Sequence, residues 1–253
     1  MKIAILGYGR MGKTIESYSN YRKHEVVFIL DKDHEKGDLS LADVAINFSV
    51  PEAAVSNIKL AMTHKIPVVC GTTGWLDNYK EVVSFCETQK TAFIYASNFS
   101  IGVNIFFKIN RIVAQLMHPH EKEYKTDIKE IHHVHKLDSP SGTAITLAEG
   151  IINNSDHESW TLNQNEETSL FIKAIRKGEI PGTHKISYRS NIDEISIKHK
   201  AYKRDGFALG AIIAAEWLLD KKGVYTMDDI LKNDKYLIYS LFFNNTFKNK
   251  LWQ

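Results

Sequence analysis

A chain of 253 residues with 43% hydrophobic and 25% charged residues is too apolar to remain disordered and long enough for one large or two modest domains. Its formal net charge of +2 gives no general attraction to nucleic acid, and two cysteines, Cys70 and Cys86, are too few for a disulfide framework, so reduced thiols in a cytoplasm are expected. Nothing reaches the ~18 apolar residues of a membrane span. The best candidate, Ala208 to Leu219, contains Glu216, and Met1 to Leu6 runs into a glycine turn rather than into a signal-peptide pattern.

Ile3 to Leu6 is a short apolar run without polar alternation, as expected for a strand buried on both faces of a parallel sheet. Gly7-Tyr8-Gly9-Arg10-Met11-Gly12 follows at once and opens a helical stretch, the context in which G-x-G-x-x-G signals a dinucleotide: the glycines allow a tight turn and close approach of a pyrophosphate to a helix start. A second apolar run, Val26 to Leu30, ends at Asp31, where such folds place the acid that holds the ribose hydroxyls. Lys32 comes next and pulls the other way, toward a 2′-phosphate, before a second acid at Asp33, so NADH and NADPH are both expected to bind.

The alternation continues with a strand at Val44 to Ile46 and a helix whose Ser49 and Glu52 fit a capping box with Pro51 in its first turn. Pro67 to Cys70 reads as a strand ending in Gly71-Thr72-Thr73-Gly74. A helix from about Asp77 to Gln89 leads to a strand at Ala92 to Tyr95 and then Ala96-Ser97-Asn98-Phe99. Each of these loops follows a strand and so belongs to the carboxyl edge of the sheet, facing the same cofactor.

The pattern changes after Phe99. Val103, Phe106, Phe107, Asn110, Val113 and Met117 mark a mostly apolar helical face, and Lys185 to Arg189 and Glu194 to Lys200 read as strands with few parallel units around them. Phe207 to Lys221 returns to helix, with Leu209, Ile212, Ile213 and Trp217 spaced to dock on the first domain. The expected architecture is therefore α/β: a Rossmann-type dinucleotide-binding domain from residues 1–99 and 209–253, with residues 100–208 inserted as an α+β domain. Thr246 to Gln253 reads as a frayed end.

Between Glu130 and Ala144 three histidines, His132, His133 and His135, stand beside Lys136 and a Gly142-Thr143 helix start. Imidazoles exchange protons near neutral pH, an ammonium supplies charge, and a helix start presents unpaired N–H groups. Together they describe a pocket for an acid that is protonated during reaction. Two other readings compete. His133 and His135, two apart on a strand, could share one face as metal ligands, but no cysteine pair or dense carboxylate cluster completes such a site, and no metal is expected. A noncatalytic dinucleotide-binding module would keep the glycine loop yet have no use for the proton donors.

The string His132-His133-Val134-His135-Lys136-Leu137-Asp138-Ser139-Pro140-Ser141-Gly142-Thr143-Ala144, the Gly71 to Gly74 turn, Ser97 to Asn104, His199-Lys200-Ala201 and Phe207 to Ala211 closely resemble the dihydrodipicolinate (4-hydroxy-tetrahydrodipicolinate) reductase family of the diaminopimelate route to lysine. The resemblance covers about residues 1 to 231. It implies an NADH- or NADPH-dependent reduction of a cyclic imine dicarboxylate, with His132 as proton donor or acceptor, Lys136 as proton donor, and His133, Gly142 and Thr143 as substrate contacts. It also implies that residues 100–208 bind substrate and assemble a cytoplasmic homotetramer. The glycine loop is one residue shorter than the family's common form, Asn47 stands where Asp is usual, and Ser97 stands where Pro is frequent. The tail beyond Leu231, with Tyr236, Tyr239, Phe242 and Phe243, is not explained by the resemblance.

Overall fold

The computed structural model describes residues 1–232 apart from Asp33, Asn165, Glu167 and Arg204. The expectations for Asp33, for the tail with its four aromatic residues and for the frayed end lie outside the described residues.

The first part of the chain runs β1 (Lys2–Leu6), α1 (Arg10–Tyr21), β2 (Glu25–Asp31), β3 (His34–Gly37), β4 (Val44–Asn47), α2 (Pro51–Thr63), β5 (Val68–Cys70), α3 (Tyr79–Gln89) and β6 (Ala92–Tyr95). The second part comprises α4 (Ile101–Met117), β7 (Lys125–His132), α5 (Gly142–Ile152), β8 (Ser159–Thr161), β9 (Ser169–Arg176), β10 (Gly182–Arg189) and β11 (Glu194–Ala201). The chain then returns through α6 (Asp205–Leu218), β12 (Gly223–Tyr225) and α7 (Met227–Leu231).

Seven strands form one sheet in the order β12-β6-β5-β4-β1-β2-β3, parallel except for the β2–β3 hairpin. The apolar runs explain it: β4 and β5 are buried along their whole length and β6 as far as Ile94, which requires helices on both faces. Strand order reverses between β1 and β4, and the crevice outside the carboxyl ends of those strands is where open α/β sheets take ligands. There Gly7, at φ +96°, passes so close to Phe48 that an added Cβ would overlap its carbonyl oxygen. Only glycine fits that turn.

Helix α6 seals one face of this sheet, with Ile212 at the centre of the contact as the spacing suggested but with small residues making up most of it. Its buried surface is Ala208, Ala211, Ile212, Ala214, Ala215 and Leu218; Ile213 and Trp217 pack at its margin, and Leu209 lies outside the cluster. Small residues let the helix approach closely, and Gly210 rests directly against the carbonyl of Phe99. The capping box expected at Ser49 is also absent. Val50 is the N-cap of α2, Pro51 occupies its first turn, and the Ser49 N–H is spent on the Thr72 hydroxyl at 2.9 Å.

The second sheet has the order β11-β10-β7-β9-β8 and is mixed: β7 with β9 and β8 with β9 are parallel, whereas β10 is antiparallel to both neighbours. Parallel pairing is thus commoner here than the sequence suggested. Helices α4 and α5 cover one face, burying Phe106, Ala114, Leu147 and Ile151 against Ile128, Leu170, Ile172 and Ile186. Alternate positions such as Asp127, Phe171, Lys173, Lys185 and Ser187 point to the opposite face. The segment between the sheets leaves and returns at one place, because Gly206 at the start of α6 lies against Ser100 at the start of α4, an added Cβ meeting the Ser100 hydroxyl at 3.4 Å.

Alanine normally improves a helix interior by about 1 kcal/mol over glycine. At Gly210 the sign reverses, since the new methyl collides with the Phe99 backbone and such overpacking costs roughly 1–3 kcal/mol. Urea unfolding of Gly210→Ala is expected to show a lower midpoint than the native chain.

Candidate active site

Two groups of residues emerge, one at the edge of each sheet. Around the first sheet, Gly7 to Gly12 links β1 to α1, and the Gly7 N–H bonds to the Leu30 carbonyl at 2.7 Å, which sets the carboxyl end of β2 with Asp31 beside the glycine loop. Asp31 and Lys32 are both exposed. Gly12 is buried with its Cα against the Gly7 carbonyl, whereas Gly9 is exposed and an added Cβ there would meet no atom within 4 Å. Helix α1 begins with no side-chain cap and no acidic residue in its first turn, so its positive end is left for an anion. Arg10 and Met11, with Thr14 and Asp205, line a cavity of 430 Å³ beside that end. Tyr8 turns its hydroxyl to Glu16. These features fit a dinucleotide pyrophosphate. The larger cavity, 900 Å³ among Lys65, Lys90 and Asp220, is lined by residues from other loops than these.

The loops after β5 and β6 complete that edge, with a division of labour. Thr72 is buried and its hydroxyl braces Ser49, its carbonyl accepts from the Trp75 indole at 2.7 Å, and Gly71 is needed because the Phe48 ring occupies the place of a Cβ. Asn98 is buried, caps the Ser100 N–H at 2.9 Å, and its carbonyl accepts from Asn104 at 2.8 Å. Phe99 is 1% exposed and belongs to the core. Thr73 and Ser97 are exposed, and Ala96 is half-buried.

In the second group, His132 ends β7, His133 and Lys136 lie in the following loop, and Gly142 and Thr143 are the first residues of α5. His133 is therefore off the strand, and His135 is three-quarters exposed at 3.3 Å from Glu179, which removes the shared strand face that a His133–His135 metal pair needs. The residue that gathers the group is Glu130, two positions before His132 and on the same buried face of β7. It is 0% exposed. Its Oε1 accepts from the Ser141 N–H at 3.1 Å and from the Arg176 guanidinium at 3.1 Å, and its Oε2 lies 2.9 Å from Nδ1 of His132. Strand register supplies the remaining partners, His184 on β10 facing Glu130 and Arg176 on β9 facing His132.

Arg176 also reaches the carbonyls of Lys136 and Asp138, fixing the loop in which the Lys136 ammonium pairs with Asp138 at 2.7 Å. The Ser141 hydroxyl caps α5 by accepting from Ala144 and contacts His184 Nε2 at 3.2 Å. The first-turn N–H groups of Gly142 and Thr143 have no intrahelical acceptor, and Gly142 is open to solvent. An ammonium and a helix start on one loop offer the kind of donors that suit a carboxylate.

Glu130, His132 and His184 place one ligand atom each within 4.8 Å of one another, the outline of a cation site. Arg176 already pairs with Glu130 there at 3.1 Å, which meets the carboxylate's charge without a cation. Burial pushes the Glu130 carboxyl up, but hydrogen bonds from His132 and Ser141 and the His132 charge outweigh it, and its pKa falls from 4.5 to about 2. Burial first, and the His132 charge second, take His184 from 6.5 down to about 3, against the opposing pull of Glu130.

Sequence reading missed Glu130, Arg176, His184, Gly182 and the Phe48 ring. Glu130 carried a usable signal, its i, i+2 spacing to His132. The others meet the site through register or loop packing, which the local sequence does not encode.

A glycine loop at a sheet switch point, with a second sheet that gathers histidines, a lysine and an open helix start, fits a dinucleotide-dependent oxidoreductase acting on an anionic small molecule. The chain belongs to the dihydrodipicolinate reductase family: residues 1–99 match the model "Dihydrodipicolinate reductase, N-terminus" and residues 102–231 the model "Dihydrodipicolinate reductase, C-terminus". A 4-hydroxy-tetrahydrodipicolinate reductase of Christiangramia forsetii is 54% identical over 236 residues, covering 92% of this chain and 98% of that protein. One of Archaeoglobus fulgidus is 38% identical over 76% of each chain. The structure of a dipicolinate-bound dihydrodipicolinate reductase from Paenisporosarcina sp. TG-14 shares the fold, with a TM-score of 0.74 at 23% identity over 89% of this chain and 97% of that one. Among the described residues no helix is long and apolar enough to cross a membrane.

The two pKa displacements act on stability with the same sign. As pH falls from 6.5 toward 3, the unfolded chain protonates His184 and the native one does not; as it falls from 4.5 toward 2, the unfolded chain protonates Glu130 and the native one does not. Each such proton costs the native state roughly 1.4 kcal/mol per pH unit. Urea midpoints at pH 7 and pH 4 are expected to fall less for His184→Gln than for the native chain, a native-like drop in the variant counting against a buried neutral His184.

Proposed function

We propose that the protein catalyses the NAD(P)H-dependent reduction of 4-hydroxy-tetrahydrodipicolinate to tetrahydrodipicolinate, the step its relatives are named for. The observation that carries the reading at the level of the site is the pairing of buried Glu130 and His132 beside the Lys136 loop and the start of α5. Residues 1–99 and 209–253 form the dinucleotide domain in this reading, and residues 100–208 bind substrate. The glycine loop and the uncapped start of α1 hold the pyrophosphate, and Asp31 and Lys32 face the ribose. The loops at 71–73 and 96–99 hold the nicotinamide end through their backbone and the exposed Thr73 and Ser97.

When bound, the reduced nicotinamide supplies a hydride. Lys136 and the N–H groups of Gly142 and Thr143 take the substrate carboxylates by charge-assisted hydrogen bonds and so fix the ring's orientation, with His133 at its rim. Electron density arriving on the conjugated ring has to be met by a proton, which His132 and Lys136 are placed to give. Asp31 favours NADH and Lys32 offsets its repulsion of a 2′-phosphate, so both coenzymes serve, NADH at least as well as NADPH.

The reading extends to a cytoplasmic homotetramer joined through the face of the second sheet that α4 and α5 leave open. Free, buried Cys70 and Cys86 suit a reducing compartment.

The deciding assay follows NADH and NADPH oxidation with substrate freshly generated from pyruvate and aspartate semialdehyde. His132→Gln is expected to lower kcat by about 10²-fold with coenzyme affinity unchanged, and Lys136→Ala to lower kcat and raise the substrate KM together. Full activity in both variants would remove these residues from the mechanism. Light scattering at micromolar concentration should give four times the 28.9 kDa chain mass, and a monomer alone would dismiss the assembly.

A further inference from the structure

We infer that Glu130 is a positioning residue for the reaction: it holds His132 with its proton on Nδ1 and so keeps Nε2 as the atom that exchanges a proton with substrate. The inference rests on the reductase reading for its consequence in turnover, but not for its geometry.

That geometry leaves little choice. Among the described residues neither Oε2 of Glu130 nor Nδ1 of His132 has another hydrogen-bond partner, both are buried, and they lie 2.9 Å apart. An unpaired buried carboxylate oxygen and an unpaired buried ring nitrogen would each be costly, and pairing satisfies both at once. The other oxygen is committed, since Ser141 and Arg176 donate to Oε1. His184 Nε2, at 3.8 Å from Oε2, is too far to compete and is engaged with the Ser141 hydroxyl. On the far side of the ring, Nε2 faces Gly182, where an added Cβ would crowd it at 3.1 Å, so glycine at that position keeps a side chain off Nε2.

The proton balance follows. His132 in its imidazolium form gives the Nε2 proton to the ring atom that receives the π electron pair displaced when the hydride forms its C–H bond at another ring carbon, remains as the neutral Nδ1–H imidazole bonded to Glu130, and regains a proton at Nε2 from solvent. Glu130 touches neither substrate nor coenzyme. Its carboxylate fixes which nitrogen keeps the proton.

Glu130→Gln tests this sharply. Ser141 and Arg176 both donate toward Oε1, so the amide must put its oxygen there and its NH₂ group toward His132 Nδ1. Nδ1 then has to accept, and the proton moves to Nε2. In ¹⁵N-histidine-labelled protein, with the His132 signals assigned by their loss in His132→Gln, the neutral native ring is expected as the Nδ1–H tautomer and the Glu130→Gln ring as Nε2–H. In steady state kcat should drop by roughly 10²-fold or more at an unchanged KM for NADH. Glu130→Asp, which keeps an acceptor, should restore the native tautomer and part of kcat.

A native ring protonated on Nε2, or a Glu130→Gln protein with the native tautomer or with kcat within threefold of native, overturns the inference. The native tautomer decides the question even where the Gln variant does not fold. Absence of any native turnover would sink the reductase reading instead, and the tautomer measurement, made without substrate, would still stand.

Discussion

A single carboxylate with no exposed surface organises the second half of this molecule. Burying Glu130 as an ion is tolerable only because Arg176, Ser141 and His132 converge on it, and that convergence has structural consequences beyond compensation. The contact to Ser141 anchors the start of α5 to β7, which aims the free N–H groups of Gly142 and Thr143. Through Arg176 the same carboxylate is joined to the carbonyls of Lys136 and Asp138, which shapes the loop between them. Strand, loop and helix start are therefore tied to one charge, and the loss of a single partner would leave the others unbalanced in a dry interior.

The first sheet solves a different problem, that of bringing backbone rather than side chains close to a polyanion. Steric exclusion does the work: Gly7 against Phe48, Gly12 against Gly7 and Gly71 against the Phe48 ring leave no room for a Cβ. Polar side chains such as Thr72 and Asn98 face inward to hold the loops still. The two halves of the site thus rely on unlike physics, shape at one edge and buried charge at the other.

The sequence was readable wherever burial was apolar. Strands β1, β4, β5 and β6 announced themselves as short hydrophobic runs, and the order of strand, glycine turn and helix was enough to anticipate the parallel sheet and its ligand edge. Strand β7 stayed hidden for a physical reason. Its inward positions are Ile128, Glu130 and His132, so the hydrophobic alternation that marks a half-buried strand is replaced by a charged one at the place where function needs it. The docking face of α6 was legible only through Ile212, Ile213 and Trp217, because close approach fills the rest of it with alanine and glycine, which carry no periodic signal. The histidine segment was visible from composition alone, while its supporting residues, His184 and Arg176, come from strands whose pairing no local pattern specifies.

The contact between Ser100 and Gly206 bears on how the chain is put together. A stretch of about a hundred residues departs and rejoins at neighbouring points, so the seven-stranded sheet experiences it as an excursion whose two ends are already joined. Closing such an excursion costs entropy that grows only slowly with its length, and the parent sheet needs no rearrangement to accommodate it.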